Sequence, residues 1–159
     1  MPLNAVKDYL EADRNARLHQ ILVALFEPEE PQVYADEILQ NFIAIFCILL
    51  EIGGGKYIGS FTSTWDLCDQ RLPFDPLRAP SPFPIVPEDN RFFERFCEKQ
   101  WRFCVPNFQF PMIRIHFEEK RILPIIQKDL IAGGGSAMLY RIRLHGSYNK
   151  LDPKPTVGT

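Results

Sequence analysis

The stretch Leu130-Ile131-Ala132-Gly133-Gly134-Gly135-Ser136-Ala137-Met138-Leu139-Tyr140-Arg141-Ile142-Arg143-Leu144-His145 sets the terms on which the rest of the chain is read. Three consecutive glycines separate two apolar runs. In the second run Tyr140, Ile142 and Leu144 alternate with Leu139, Arg141 and Arg143, the period of a strand with unlike faces. Strand, flexible turn, strand is the expected order.

Outward from this stretch the composition is that of a folded chain. Of 159 residues 46 % are apolar and only 24 % charged, which places the sequence among globular rather than disordered chains. The net charge of −2 conceals an asymmetry: residues 1–70 hold 4 Lys and Arg against 11 Asp and Glu, whereas residues 71–159 hold 14 against 9. An acidic first half is a poor surface for duplex DNA, whose binding rests on phosphate neutralisation. The longest apolar run, Phe42 to Leu50, is too short to span a bilayer. Met1-Pro2-Leu3-Asn4 does not open a signal peptide, and membrane attachment is not expected. Cys47, Cys68, Cys97 and Cys104 form no C-x-x-C pair and lie among apolar neighbours, as reduced core thiols do, so an intracellular home, cytoplasmic or nuclear, is expected.

Residues 1–70 read as an acidic helical region. Val6, Leu10, Leu18, Ile21, Leu22, Leu25 and Phe26 recur at helical steps, predicting one helix from Ala5 to Phe26 behind an Asn4 cap. Its charged face offers a surface for a protein partner. A second helix is predicted from Tyr34, with Ile38, Leu39, Phe42, Ile45, Phe46, Leu49 and Leu50 inward, ending at Gly53-Gly54-Gly55. No Gly-Lys-Ser/Thr follows those glycines, so they are a helix stop and not a phosphate loop. Lys56 to Thr62 fits a strand or another helical turn, and Trp65 and Leu67 are expected to pack back on the helices.

Residues 71–90 read as a proline-rich linker, because six of the fourteen prolines fall between Leu72 and Glu88 and fix an extended, semi-rigid path. Residues 91–121 read as a basic aromatic helix and extended segment. Phe92, Phe93, Phe96, Cys97 and Trp101 form the apolar face, with Arg91, Arg95, Lys99 and Arg102 elsewhere and Glu88, Asp89 or Asn90 as cap. That interleaving is ordinary amphipathicity, and nucleic-acid binding is not expected from it. Ile113-Arg114-Ile115-His116-Phe117 alternates as a brief strand with His116 on the polar side. The expected fold class is α+β: a mainly helical N-terminal part, the proline connector, then a helix and a short β-hairpin.

The glycine segment resembles the glycine-rich loop of eukaryotic protein kinases, an apolar residue followed by G-x-G-x-x-G-x-V on a hairpin. With Leu139 at the valine, Ala132, Gly134 and Ala137 stand at the three glycine positions. Ile131 precedes the loop, and Leu139-Tyr140-Arg141-Ile142 follows it as Val-Tyr-Lys-Val does in the family. From residue 90 onward, Phe93-Glu94-Arg95-Phe96, Gln100-Trp101-Arg102-Phe103-Cys104-Val105-Pro106, Leu123-Pro124-Ile125 and Leu144 to Leu151 are similar to one lineage of fungal kinase-like proteins. There a helical region leads into a kinase domain. The resemblance implies that residues 122–159 are the start of a kinase small lobe, with Ile131, Gly133, Gly134, Gly135, Ser136, Ala137 and Leu139 near nucleotide phosphates. It likewise implies ATP with Mg²⁺ as the ligand, although no cofactor is expected for the chain alone.

Phosphoryl transfer further needs a strand lysine, a catalytic-loop aspartate and asparagine, and a metal-binding aspartate. Past the loop only Lys150 and Lys154 remain, and the prolines around Lys154 exclude an interior strand. No His-Arg-Asp or Asp-Phe-Gly occurs. No catalytic residue is expected here, and no metal site, because the cysteines and His19, His116 and His145 lack ligand spacing. The chain then reads as the N-terminal part of a kinase-like protein without activity by itself. The alternative is a non-catalytic intracellular protein–protein interaction module.

Overall fold

The computed structural model describes residues 3–112, 115–135 and 137–151. The fold is α+β, and the chain forms two compact units that divide between Cys104 and Val105.

The first unit is helical. Helices α1 (Leu3–Glu11), α2 (Ala16–Phe26), α3 (Ala35–Asn41) and α4 (Ile43–Glu51) are followed by α5 (Ile58–Thr62) and α6 (Phe92–Gln100). Six of the nine residues of α4 are buried, Ile43 through Phe46 with Ile48 and Leu49. A helix apolar on nearly every side needs cover on nearly every side. Leu10 of α1, Leu18 and Leu22 of α2, Ile38 and Leu39 of α3, Ile58 and Phe61 of α5, and Phe92 and Phe96 of α6 join it in one core.

Both helices expected from periodicity are broken in two. The Ala5–Phe26 segment turns at Asp13, Arg14 and Asn15, all with left-handed φ of 57° to 66°. Each such residue costs about 1–2 kcal/mol without glycine. Folding α2 back on α1 offsets this by burying Leu10, Leu18 and Leu22, and the Asn15 amide donates to Asp36 at 2.6 Å. Asn4 lies inside α1 and is not its cap. The second break is at Phe42, whose φ of −136° leaves the helical region. The amides of Ala44 and Ile45 there donate to the Asp69 carboxylate, both at 2.9 Å.

The end of α4 follows the sequence closely. Gly53 takes φ 73°, Gly54 N–H donates to Leu49 O at 2.7 Å and Gly53 N–H to Leu50 O at 3.1 Å, a Schellman closure. Residues 55–62 are helical turns, not a strand. Leu67 is buried as expected, whereas Trp65 is exposed.

The proline stretch corrects the expected organisation. It does not separate two domains, since Phe74 and Val86 are buried and Phe83 packs against the same core. The Phe83 ring lies 4.8 Å from Phe93 and 5.4 Å from Phe61, edge to face, while Phe96 stacks on Phe61 at 5.7 Å and on Phe74 at 5.6 Å. Gln100, wholly buried, donates to Phe74 O at 2.9 Å and accepts from Phe74 N–H at 2.7 Å. Prolines set the path while the aromatic residues between them bind it to α5 and α6. The unit boundary accordingly falls after α6, at Cys104.

The Asp89 side chain accepts from Arg91 N–H at 3.1 Å just before α6, so the acidic residues ahead of that helix serve its start. Of the four expected cations, Arg91 pairs with Glu94, Arg95 with Asp89, and Lys99 and Arg102 with Glu51.

The second unit is built on one antiparallel hairpin, β2 (Ile125–Gly134) with β3 (Ala137–Leu144). At its base His145 N–H donates to Pro124 O at 2.8 Å. A parallel pair, β1 (Phe108–Gln109) with β4 (Asn149–Lys150), joins the segments on either side. Of the expected strand at 113–117, Ile113 and Arg114 lie outside the described residues, and Ile115 to Phe117 form no strand. Phe117 instead sets its ring 5.9 Å from Phe108, and His116 is exposed.

Gln100→Leu keeps the volume but leaves the Phe74 N–H and C=O without partners. A loss of about 2–4 kcal/mol is expected from urea unfolding, each buried unpaired group costing roughly 1–3 kcal/mol. Gln100→Glu is expected to be no milder, because it replaces a donor with a buried charge.

Candidate functional site

The turn between β2 and β3 is the position to which the sequence assigns chemistry. Gly134 pairs with Ala137, Gly133 with Met138, Ala132 with Leu139 and Leu130 with Tyr140. Gly133, Gly134, Ala137 and Leu139 therefore meet at the tip, with Gly135 in the turn. Ser136 lies outside the described residues. Ile131 falls at a register shift between Leu130 and Ala132, so it has no partner across the ladder.

None of the three tip glycines uses a left-handed φ, unlike Gly53. What they contribute is the absence of side chains. A Cβ at Gly133 or Gly135 would meet no atom within 4 Å, and one at Gly134 only Ala137 O at 3.9 Å. The backbone of the tip is open, the condition under which amide groups approach an anion closely.

Behind the tip the two faces differ. Register places Gln127 with Arg143, Asp129 with Arg141 and Ala132 with Leu139 on one face, and Lys128 with Ile142, Leu130 with Tyr140 and Gly133 with Met138 on the other. Met138 and Leu130 are 66 % and 60 % exposed, and Tyr140 and Ile142 are also open. The Lys128 ammonium sits 3.9 Å from the centre of the Tyr140 ring, a cation–π contact across the strands. The Gln127 amide donates to Asp129 at 2.9 Å. Neither Arg141 nor Arg143 has an ion pair among the described residues.

The chemistry available here is that of backbone donors and loose cations. Among the described residues no group of three or more His, Cys, Asp or Glu side chains is placed to hold a metal ion. Asp129 is the acidic residue of the hairpin strands, a single carboxylate and not a chelating set.

Elsewhere, burial pushes the Cys47 and Cys97 thiols up to about 11, which keeps both protonated near neutral pH and unsuited to nucleophilic attack. A cavity of about 270 Å³ in the helical unit is bordered by Asp66, Arg71, Phe74, Asp75 and Arg78. Arg71 is already bound to Asp66 at 3.2 Å, and the remaining pair of opposite charges gives the cavity no net sign.

Sequence reading located the hairpin and its tip residues. It missed the Lys128–Tyr140 pair, which depends on cross-strand register and has no signal in either strand alone. It also missed Asp69 as the acceptor for α4, since the two are more than twenty positions apart. No protein-family model matches the chain, and no curated protein or solved structure is significantly similar to it.

Gly53→Ala forces a Cβ into a left-handed position and is expected to cost about 1–2 kcal/mol in thermal or urea unfolding. Gly133→Ala, with empty space around the new methyl group, is expected to change stability by less than about 0.5 kcal/mol. Equal losses at the two positions would contradict the distinction between a conformational glycine and a space-clearing one.

Proposed function

We propose that the chain is the N-terminal part of a fungal protein-kinase-like protein, in which a helical unit precedes the glycine-loop hairpin of a kinase small lobe. By itself it performs no phosphoryl transfer, and its contact with ATP is weak and made by tip backbone and loose cations. The observation that carries this reading is the pairing of Gly134 with Ala137, which sets the apolar-flanked glycine segment at the tip of a hairpin with an open backbone. An exposed apolar face at Leu130, Met138, Tyr140 and Ile142 suits a hairpin whose further strands belong to the remainder of a kinase sheet. ATP when bound would bring the phosphate charge and its Mg²⁺. The chain's own residues would orient those oxygens with the Gly133 to Gly135 amides and leave the metal to groups outside this sequence. Buried free thiols at Cys68 and Cys97 support a reducing intracellular setting, cytoplasmic or nuclear.

Titration of the full chain with Mg-ATP, followed by the backbone amide resonances of Gly133, Gly134 and Gly135, tests the nucleotide contact. Saturable shifts confined to the hairpin at millimolar ATP are expected, and are expected to weaken when Gly134→Ala crowds the tip. Unmoved glycine resonances at that concentration overturn it. Kinship is tested separately by the transcript beyond the codon for Thr159, where a strand lysine, His-Arg-Asp and Asp-Phe-Gly are expected in frame.

A second reading, a non-catalytic protein–protein interaction module, is favoured by large apolar side chains left open on the helical unit, with Tyr34 78 % and Leu77 96 % exposed. It requires that a partner captured by the full chain be lost on Tyr34→Ser with Leu77→Ser while the fold persists. Capture unchanged by that pair of substitutions would remove it.

A further inference from the structure

Along the β2–β3 ribbon, apolar and charged residues are sorted by distance from the tip. The rungs nearest the turn pair Gly134 with Ala137, Gly133 with Met138, Ala132 with Leu139 and Leu130 with Tyr140, and Ile131 bulges between the last two. None of these residues carries a charge. At about 3.4 Å per residue, the uncharged end is about 10 Å long. Directly behind it, the next rungs bring in Arg141, Lys128 and Arg143, with Asp129 as their acid. Leu139 lies on one face of the end and Leu130 and Met138 on the other, with Ile131 in the bulge, and each of the four is more than half exposed.

We propose that the ribbon end is an interfacial anchor for an anionic phospholipid surface, with Leu130, Ile131, Met138 and Leu139 among the outer acyl segments and Lys128, Arg141 and Arg143 at the phosphates. A strand added along either edge would pair backbone groups and leave both faces wet, and a protein layer laid on the ribbon would cover one face. Lipid closes around both faces and the end together, which is how the open apolar side chains are distributed. An uncharged length of about 10 Å also matches the depth of about 5–10 Å to which interfacial elements enter a bilayer. At that level the outward backbone groups of the two edges still meet headgroups and water, as they would not in the hydrocarbon centre. The charge is complementary as well. Seven Lys and Arg outnumber three Asp and Glu between residues 105 and 151, and neither Arg141 nor Arg143 has an ion pair among the described residues.

Contact of this kind requires no spanning segment. No helix among the described residues is long and apolar enough to cross a membrane, and the ribbon end enters one leaflet only. The cytoplasmic leaflet is the one with a negative surface, which agrees with a reducing setting for the buried thiols. Lipid binding requires neither the nucleotide contact nor the kinship proposed above.

Co-sedimentation of the full chain with vesicles, without nucleotide, tests the anchor. Binding is expected on phosphatidylcholine mixed with phosphatidylserine, and much weaker binding on phosphatidylcholine alone. Arg141→Gln and Arg143→Gln are each expected to weaken it by about fivefold. Met138→Ser with Leu139→Ser is expected to weaken it by about tenfold or more while the urea midpoint of the helical unit is unchanged. Depth is read separately in single tryptophan additions, over the signal of Trp65 and Trp101. Met138→Trp is expected to be quenched by brominated acyl chains, and Gln127→Trp, near the base of the ribbon, is not. Equal affinity for the two vesicle types, undiminished binding in the tip or arginine variants, or equal quenching at 127 and 138 would overturn the anchor. So would a chain that sediments without vesicles through ribbon pairing between copies, or one that ignores vesicles and binds polyglutamate as an acidic protein partner requires.

Discussion

Burial of α4 is the constraint on which the helical unit depends. A nine-residue helix with six buried positions cannot be stable alone, because propensity contributes little at that length and its apolar surface would face water. Every neighbouring element is placed so as to cover it. The costs accepted elsewhere, three left-handed residues between α1 and α2 and a carboxylate drawn in from residue 69, are intelligible as the consequence of wrapping short helices around one apolar rod.

The same constraint explains the proline stretch. Proline denies the chain a helix or an interior strand, but it does not deny it burial. Phe74, Phe83 and Val86 extend the core, and Gln100 meets the backbone of Phe74 with one donor and one acceptor, so an irregular path crosses an apolar interior without unpaired groups. Pairing of the α6 cations with Glu94, Asp89 and Glu51 balances the charge of that surface.

The hairpin unit obeys different physics. Nearly every residue of β2 and β3 is exposed, and two strands bury too little surface to be independently firm. Such a ribbon presents a side-chain-free tip and an apolar face together. That combination is what gives the proposed kinase-like reading its content.

The sequence by itself determined the elements with local causes: the apolar stripes of residues 5–26 and 34–50, the glycine stop after α4, the helix at 92–100, and a hairpin turning on Gly133 to Gly135. Each of these rests on interactions within a few positions, where periodicity and glycine stereochemistry suffice. The breaks at Asp13–Asn15 and Phe42, the inclusion of the proline stretch in the core, the loss of a strand at Ile115–Phe117 and the Lys128–Tyr140 contact were decided by tertiary structure. Those depend on partners far along the chain, and Asp69 shows why: nothing near residue 42 announces a carboxylate that arrives from more than twenty residues away to take the place of a helical carbonyl.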